Sequence, residues 1–240
     1  MTNNLIEISK QIITNIENID DIVDSYFEPI KDLTETGTDI FSPIKAIHSL
    51  YTLNKKRKFK NFLKGYANSL NENDSKIFED TVRLKEYLKN ERNYNFINDT
   101  IENAINAKSI YGSIILGYYT GKILSNEIRV GYKEIIFIEG IKELNDFELS
   151  CFIRIYSKAD LSKKIIYLAQ LKLNTLYYNL TIEKMIGLNF LTKDGTIYLG
   201  SNDDEEEKRT STFISNEIAE DLFFLIKEIG IYDSLLTYEL

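Results

Sequence analysis

Only two prolines, Pro29 and Pro43, punctuate this chain of 240 residues. Proline inside a helix removes a hydrogen bond and clashes with the preceding turn, so their scarcity leaves long stretches free to be helical. The apolar residues use that freedom. Leu5, Ile8, Ile12, Ile16 and Ile19 fall at steps of three and four, the spacing of one helical face. Ile22, Val23, Tyr26, Phe27 and Ile30 continue it, with a bend expected near Asn18–Asp21 or at Pro29. Thr34–Asp39 reads as a loop.

Ser42-Pro43 has the signature of a helix start, with serine as the cap and proline at the first helical position. Ile44, Ile47, His48, Leu50 and Tyr51 lie on that helix. The basic run Lys55-Lys56-Arg57-Lys58 with Lys60 follows Leu53, and Phe59, Phe62, Leu63, Tyr66 and Leu70 form an apolar face just behind it. A turn at Asn71–Asp74 leads to helices over about 75–88 and 94–107.

The most apolar stretch follows. A helix over 109–124 contains Gly112, Gly117 and Gly121. Each glycine costs roughly 1 kcal/mol of helix propensity relative to alanine, a cost usually offset by close helix–helix approach. The reading is an antiparallel hairpin with a helix over 127–144, joined at Ser125-Asn126. Gly117 and Gly121 would face Ile128, Ile135 and Ile138 of the second helix. Asn145-Asp146 caps a short helix through Tyr156.

Ser162–Ile186 reads as one or two helices ended by Gly187. Asp194-Gly195 between Leu188–Leu191 and Thr196–Leu199 is a hairpin signal. Thr212-Phe213-Ile214 is a further strand candidate, Ser215 a cap for the last helix, and Gly230 its stop. The expected fold is mainly α. A multi-helix bundle occupies 1–157, and a winged-helix-like unit occupies 158–240 with one small β-hairpin or three-stranded sheet. The boundary falls near Ser157–Leu161, unless both lie in one domain.

Composition narrows the function classes. Hydrophobic residues make up 43% and charged residues 28%, which is globular composition. A net charge of −8 weighs against a general nucleic-acid binder, which carries a basic face. One cysteine and one histidine cannot build an ordinary structural zinc site or a disulfide within the chain. No phosphate-cradling glycine loop, nucleophile elbow or zinc-protease motif occurs. His48 reads as a helix-face or core residue, Cys151 as a buried thiol in an apolar surround, and Glu134 and Glu139 as partly exposed ends or ion-pair partners of Lys133 or Lys142. No catalytic residue, metal site or cofactor is expected, so the chain is read as no enzyme.

Two charged runs are the binding candidates. Lys55, Lys56, Arg57 and Lys58, beside Phe59, Phe62 and Tyr66, could meet nucleic acid or acidic lipid, or form a solvated turn. Asp203, Asp204, Glu205, Glu206 and Glu207 form an acidic loop. It lacks the spacing of a calcium loop and would repel DNA phosphate. The N-terminal MTNNLIEISKQ has no basic region leading into an apolar run, and no stretch reaches the length of a membrane span. A cytoplasmic protein is expected. Abundant Asn, Ile, Lys and Tyr suggest an AT-rich genome, that of a bacterium or phage.

Two segments carry a family resemblance. FSPIKAIHSLYTLNKKRKFKNFLKGY resembles a segment of small helical proteins of bacteria and prophages. IEKMIGLNFLTKDGTIYLGS, followed by a helix, is similar to the end of the Abi-alpha (abortive-infection-associated) proteins, with Ile186-Gly187-Leu188 at the turn. The resemblance implies a mostly helical fold and a setting of bacterium–phage conflict, with no catalytic residues to carry over. The expected function is that of a non-catalytic protein-interaction component in defence or its evasion. The alternatives are a winged-helix nucleic-acid regulator and a membrane-active effector exposing the central apolar hairpin. A protein partner is expected, nucleic acid and a resting-state membrane are not, and a homo-oligomer is left open.

Overall fold

A computed structural model describes residues 42–70, 90–126, 128–160, 165–168, 171–173, 176–199 and 208–239. The expected helices over 5–30 and 75–88, the loop at 34–39 and the acidic run at 203–207 lie outside the described residues. What is described is mainly helical, with one small three-stranded antiparallel sheet. The chain divides into two compact units, Met1–Val130 and Gly131–Leu240.

In the first unit, α1 (Ser42–Leu70), α2 (Glu91–Asn106) and α3 (Ile110–Ser125) pack together. α1 passes through the basic run unbroken for 29 residues. Lysine and arginine are good helix formers, and no glycine or proline stands between Ile44 and Lys64 to stop the helix. Asn90 caps α2 by accepting from the backbone N–H groups of Arg92 and Asn93. Ser109 caps α3 through the N–H of Gly112 at 2.9 Å.

The glycines of α3 do mark a close helix contact, but with a different partner from the one expected. A Cβ on Gly117 would lie 1.9 Å from the Phe62 carbonyl oxygen of α1, and one on Gly121 would lie 1.6 Å from the Ser69 hydroxyl. The notch is reciprocal, since a Cβ on Gly65 of α1 would lie 2.1 Å from the carbonyl oxygen of Ile114. The following helix begins later than expected, as α4 (Tyr132–Glu143), and belongs to the second unit. Asn126 ends α3 by donating both its backbone and side-chain N–H to the Lys122 carbonyl. Ile128 and Ile135 are 37% and 39% exposed, so of the three expected contacts only Ile138 is buried.

In the second unit, α4 is followed by α5 (Asp146–Lys158), β1 (Ile165–Tyr167), α6 (Leu176–Gly187), β2 (Leu191–Leu199), β3 (Lys208–Ser215), α7 (Glu217–Ile229) and α8 (Tyr232–Leu236). The sheet order is β1-β3-β2, all antiparallel. A helix, an edge strand, a second helix and a β-hairpin in this order give the winged-helix-like shape. The units divide ahead of α4, and α5 packs against α6 and α8, so the chain around Ser157–Leu161 runs inside one unit.

Three local readings are corrected here. Ile165–Tyr167, expected as helix, is a strand, with Ile165 opposite Ile214 and Tyr167 opposite Thr212. Its β-branched and aromatic residues suit a pleated surface, and pairing with β3 overrides the helical spacing. Asp194-Gly195 is no hairpin turn, because β2 continues through it. Asp194 is the extra residue between the Lys193–Phe213 and Gly195–Thr212 pairs, as in a β-bulge. The cap of α7 is Asn216, which accepts from the N–H groups of Ile218 and Ala219, while Ser215 belongs to β3.

The core of this unit is aromatic. Phe152 and Tyr156 of α5 lie 4.3 Å apart by ring centroids, and Tyr156 lies 5.5 Å from Phe223 of α7. Phe190, just after α6, packs against α4 where Gly140 leaves room. A Cβ there would come within 1.9 Å of the Phe190 ring.

Candidate functional site

The first binding candidate is dispersed by its own helix. At 3.6 residues per turn, four consecutive side chains point around α1 rather than to one side. Lys55, Lys56 and Lys58 are half-buried, and Arg57 is exposed. Lys58 donates through Nζ to the carbonyl oxygen of Ala107, at the C-terminal end of α2. That lysine binds α2 to α1. The second candidate, Asp203–Glu207, falls in the segment between β2 and β3, outside the described residues.

Cys151 and Glu134 have structural duties. Cys151 is fully buried, and burial pushes its thiol up from its ordinary value, with the Thr181 hydroxyl as its hydrogen-bond partner. Glu134 accepts from the N–H of Gly131 at 2.7 Å, capping α4. Lys133 instead pairs with Glu217 at 2.6 Å and Asp221 at 2.7 Å, both on α7. Among the described residues, no group of three or more His, Cys, Asp or Glu could hold a metal ion. No described helix is long and apolar enough to cross a membrane.

The surface that remains is α6. Tyr178, Thr181, Ile182 and Met185 form its buried face. Its C-terminal end is held by a Schellman arrangement: the N–H of Phe190 donates to the Met185 carbonyl at 2.9 Å, and that of Asn189 to Ile186 at 3.0 Å. Asn189 takes the left-handed conformation at φ 62°, so the reversal expected at Gly187 is made two residues later. Lys184 anchors the helix laterally. Its Nζ donates to both Glu148 carboxylate oxygens at 2.6–2.7 Å and to the Glu143 carbonyl oxygen at 2.7 Å. Glu148 in turn accepts from the N–H of Asn145 in the capping box that starts α5.

The outer face of α6 is apolar. Leu176 is 68% exposed, Tyr177 56% and Leu180 52%. Glu183 and Gly187 complete the exposed row. Leu176, Leu180, Glu183 and Gly187 stand at helical steps of four, three and four, which places them on one side. Tyr177 flanks the row and is steadied edge-on against Phe147 of α5, ring centroids 5.5 Å apart. The only lysine of α6 is held by Glu148, so this face presents no cation. It offers flat apolar contact and one carboxylate, a chemistry suited to a protein surface and ill suited to phosphate.

These residues were not singled out from the sequence, though a signal was there. Leu176, Tyr177, Tyr178, Leu180, Ile182 and Met185 surround the helix with apolar groups. A helix apolar all round is either enclosed or docked.

Comparison with protein-family models finds none that matches this chain, and comparisons with curated proteins and with solved structures find no match either.

Proposed function

We propose that this chain is a non-catalytic protein-interaction component that engages a protein partner through the outer face of α6. The setting proposed is bacterium–phage conflict, which the resemblance to the Abi-alpha proteins implies. The observation that carries the reading is the exposure of Leu176, Tyr177 and Leu180 on the helix that precedes the β-hairpin. In a winged-helix unit that reads DNA, a helix bearing Lys and Arg enters the groove. Here the corresponding helix turns leucines and a tyrosine outward and commits its one lysine to Glu148. Apolar area of this kind, steadied by an aromatic neighbour, is the usual core of a protein interface.

A photo-crosslinking benzophenone side chain at position 180 of the full chain tests this in bacterial cells, with and without phage infection. The expected product is a protease-sensitive, nuclease-resistant adduct, lost when Leu176 and Tyr177 are both changed to Ser. A nuclease-sensitive adduct as the main product overturns the reading in favour of a nucleic-acid regulator.

A further inference from the structure

We propose that a buried water molecule is part of the second unit, bound between the Ser150 hydroxyl and the Arg154 Nε–H of α5. Among the described residues, Ser150 Oγ and Arg154 Nε are enclosed side-chain atoms without a hydrogen-bond partner. Ser150 is fully buried. A helical serine has a local option, donation to the carbonyl four residues back. The other buried hydroxyls among the described residues have taken that option or found another partner. Thr100 donates to the Phe96 carbonyl and Thr120 to the Leu116 carbonyl, each at 2.7 Å. Ser113 donates to the Ala104 carbonyl at 2.8 Å, Ser109 caps α3, and Thr181 pairs with Cys151. Ser150 makes no such bond, although the Asp146 carbonyl stands at the right place in its helix. Buried polar groups are hydrogen-bonded almost throughout, and an ordered water is the usual partner where the protein supplies none.

Ser150 and Arg154 stand one turn apart on the same side of α5. Cβ atoms at that spacing lie about 5–6 Å apart. One water making two hydrogen bonds of about 2.8–3 Å covers such a span. The donors and acceptors match as well. Arg154 Nε–H can only donate, whereas the Ser150 hydroxyl can donate or accept. A water accepts from Arg154 and bonds Ser150 in either sense. An anion would also accept from both, but a chain of net charge −8 disfavours it. The far end of the same guanidinium is already engaged, since its Nη2 donates to the Tyr238 carbonyl just beyond α8. α8 packs on α5, and its Leu235 is fully buried. A water that seats Nε therefore steadies the arm by which α5 holds the chain after α8.

A crystal structure of the full chain tests the proposal. The expected density is one ordered water within about 3 Å of both Ser150 Oγ and Arg154 Nε. Crystals soaked in bromide should show no anomalous peak at that position. In solution, Ser150→Ala speeds hydrogen exchange of the Leu235 and Tyr238 amides by about fivefold, because Arg154 loses its seat. Those amides donate to the Ile231 and Leu235 carbonyls, in and just after α8. Ser157→Ala, at an exposed position of the same helix, reads the gain in helix propensity alone. Ser150→Ala should melt below it, since a bonded hydroxyl is lost. A dry, unpaired hydroxyl predicts the opposite sign, because removing it relieves a desolvation cost. Empty density between the two atoms, a bromide peak there, a Ser150→Ala melt above that of Ser157→Ala, or unchanged exchange at both amides each overturns the proposal.

Discussion

The Tyr156 hydroxyl lies 2.8 Å from the Ser215 hydroxyl, and Ser215 donates to Glu220 at 3.2 Å. This short chain joins α5, the end of β3 and α7 in an otherwise aromatic core. Burial pushes the Tyr156 phenol well above its ordinary value, because ionised oxygen has no water there; the nearby Glu220 charge acts in the same direction. The sign for stability follows from linkage. The folded chain keeps this proton where the unfolded chain releases it, near pH 10, so the stabilisation is whole below that pH and is lost above it. Tyr156→Phe is expected to cost about 1 kcal/mol at pH 7 by removing a hydrogen bond. Above pH ~10 the wild type should lose up to ~1.4 kcal/mol per pH unit relative to the variant. Urea unfolding of both proteins at pH 7 and pH 11 checks this. A difference that does not narrow at pH 11 would mean that the phenol is not enclosed. Cys151 obeys the same physics, and its elevated thiol in an apolar surround belongs to an inert packing residue.

At the scale of the element, glycine marks contact only where backbone meets backbone. Gly117 and Gly65 form such a notch between α3 and α1, and the atoms a side chain would strike are backbone atoms of the neighbouring helix. Those atoms cannot swing aside as a side-chain tip can. Gly117→Ala should therefore lower stability by about 1–3 kcal/mol, as overpacking does. Gly187 on α6 has nothing within 4 Å of its would-be Cβ. Gly187→Ala should raise stability by about 0.5 kcal/mol through helix propensity alone. Paired thermal melts decide the matter. Equal responses at the two sites would contradict the close α1–α3 approach. The three-and-four spacing made α2, α3, α5 and α7 legible, with the cap at Asn145 in its expected place. It misassigned Ile165–Tyr167, whose residues fit either state until β3 is there to pair with.

For the whole molecule, charge is the quantity that acts at a distance. A net charge of −8, with no cation presented on the outer face of α6, is expected to leave little of the counterion release that drives non-specific DNA binding. Affinity for random duplex at about 150 mM salt is expected to be weaker than the usual range of roughly 10⁻⁴ to 10⁻⁶ M. No mobility shift should appear at ~10 μM protein, and a clear one would restore the nucleic-acid regulator. The division into units also belongs to this scale. The chain divides between Val130 and Gly131, where no composition shift marks a linker, because a boundary follows from which helices share contacts.

The residues in order were enough to establish a mainly helical chain, the presence of a small C-terminal sheet though not the course of its strands, the burial of Cys151 and the significance of Gly117. Each follows from local spacing or from what one side chain tolerates. Which helix fills the glycine notch is non-local, and so is the pairing that makes Ile165–Tyr167 a strand. The same holds for which apolar residues of α6 stay outside. Leu180 and Ile182 are alike as residues. Only the packing of α5 and the sheet behind α6 covers one and leaves the other in water, and on that difference the proposed site depends.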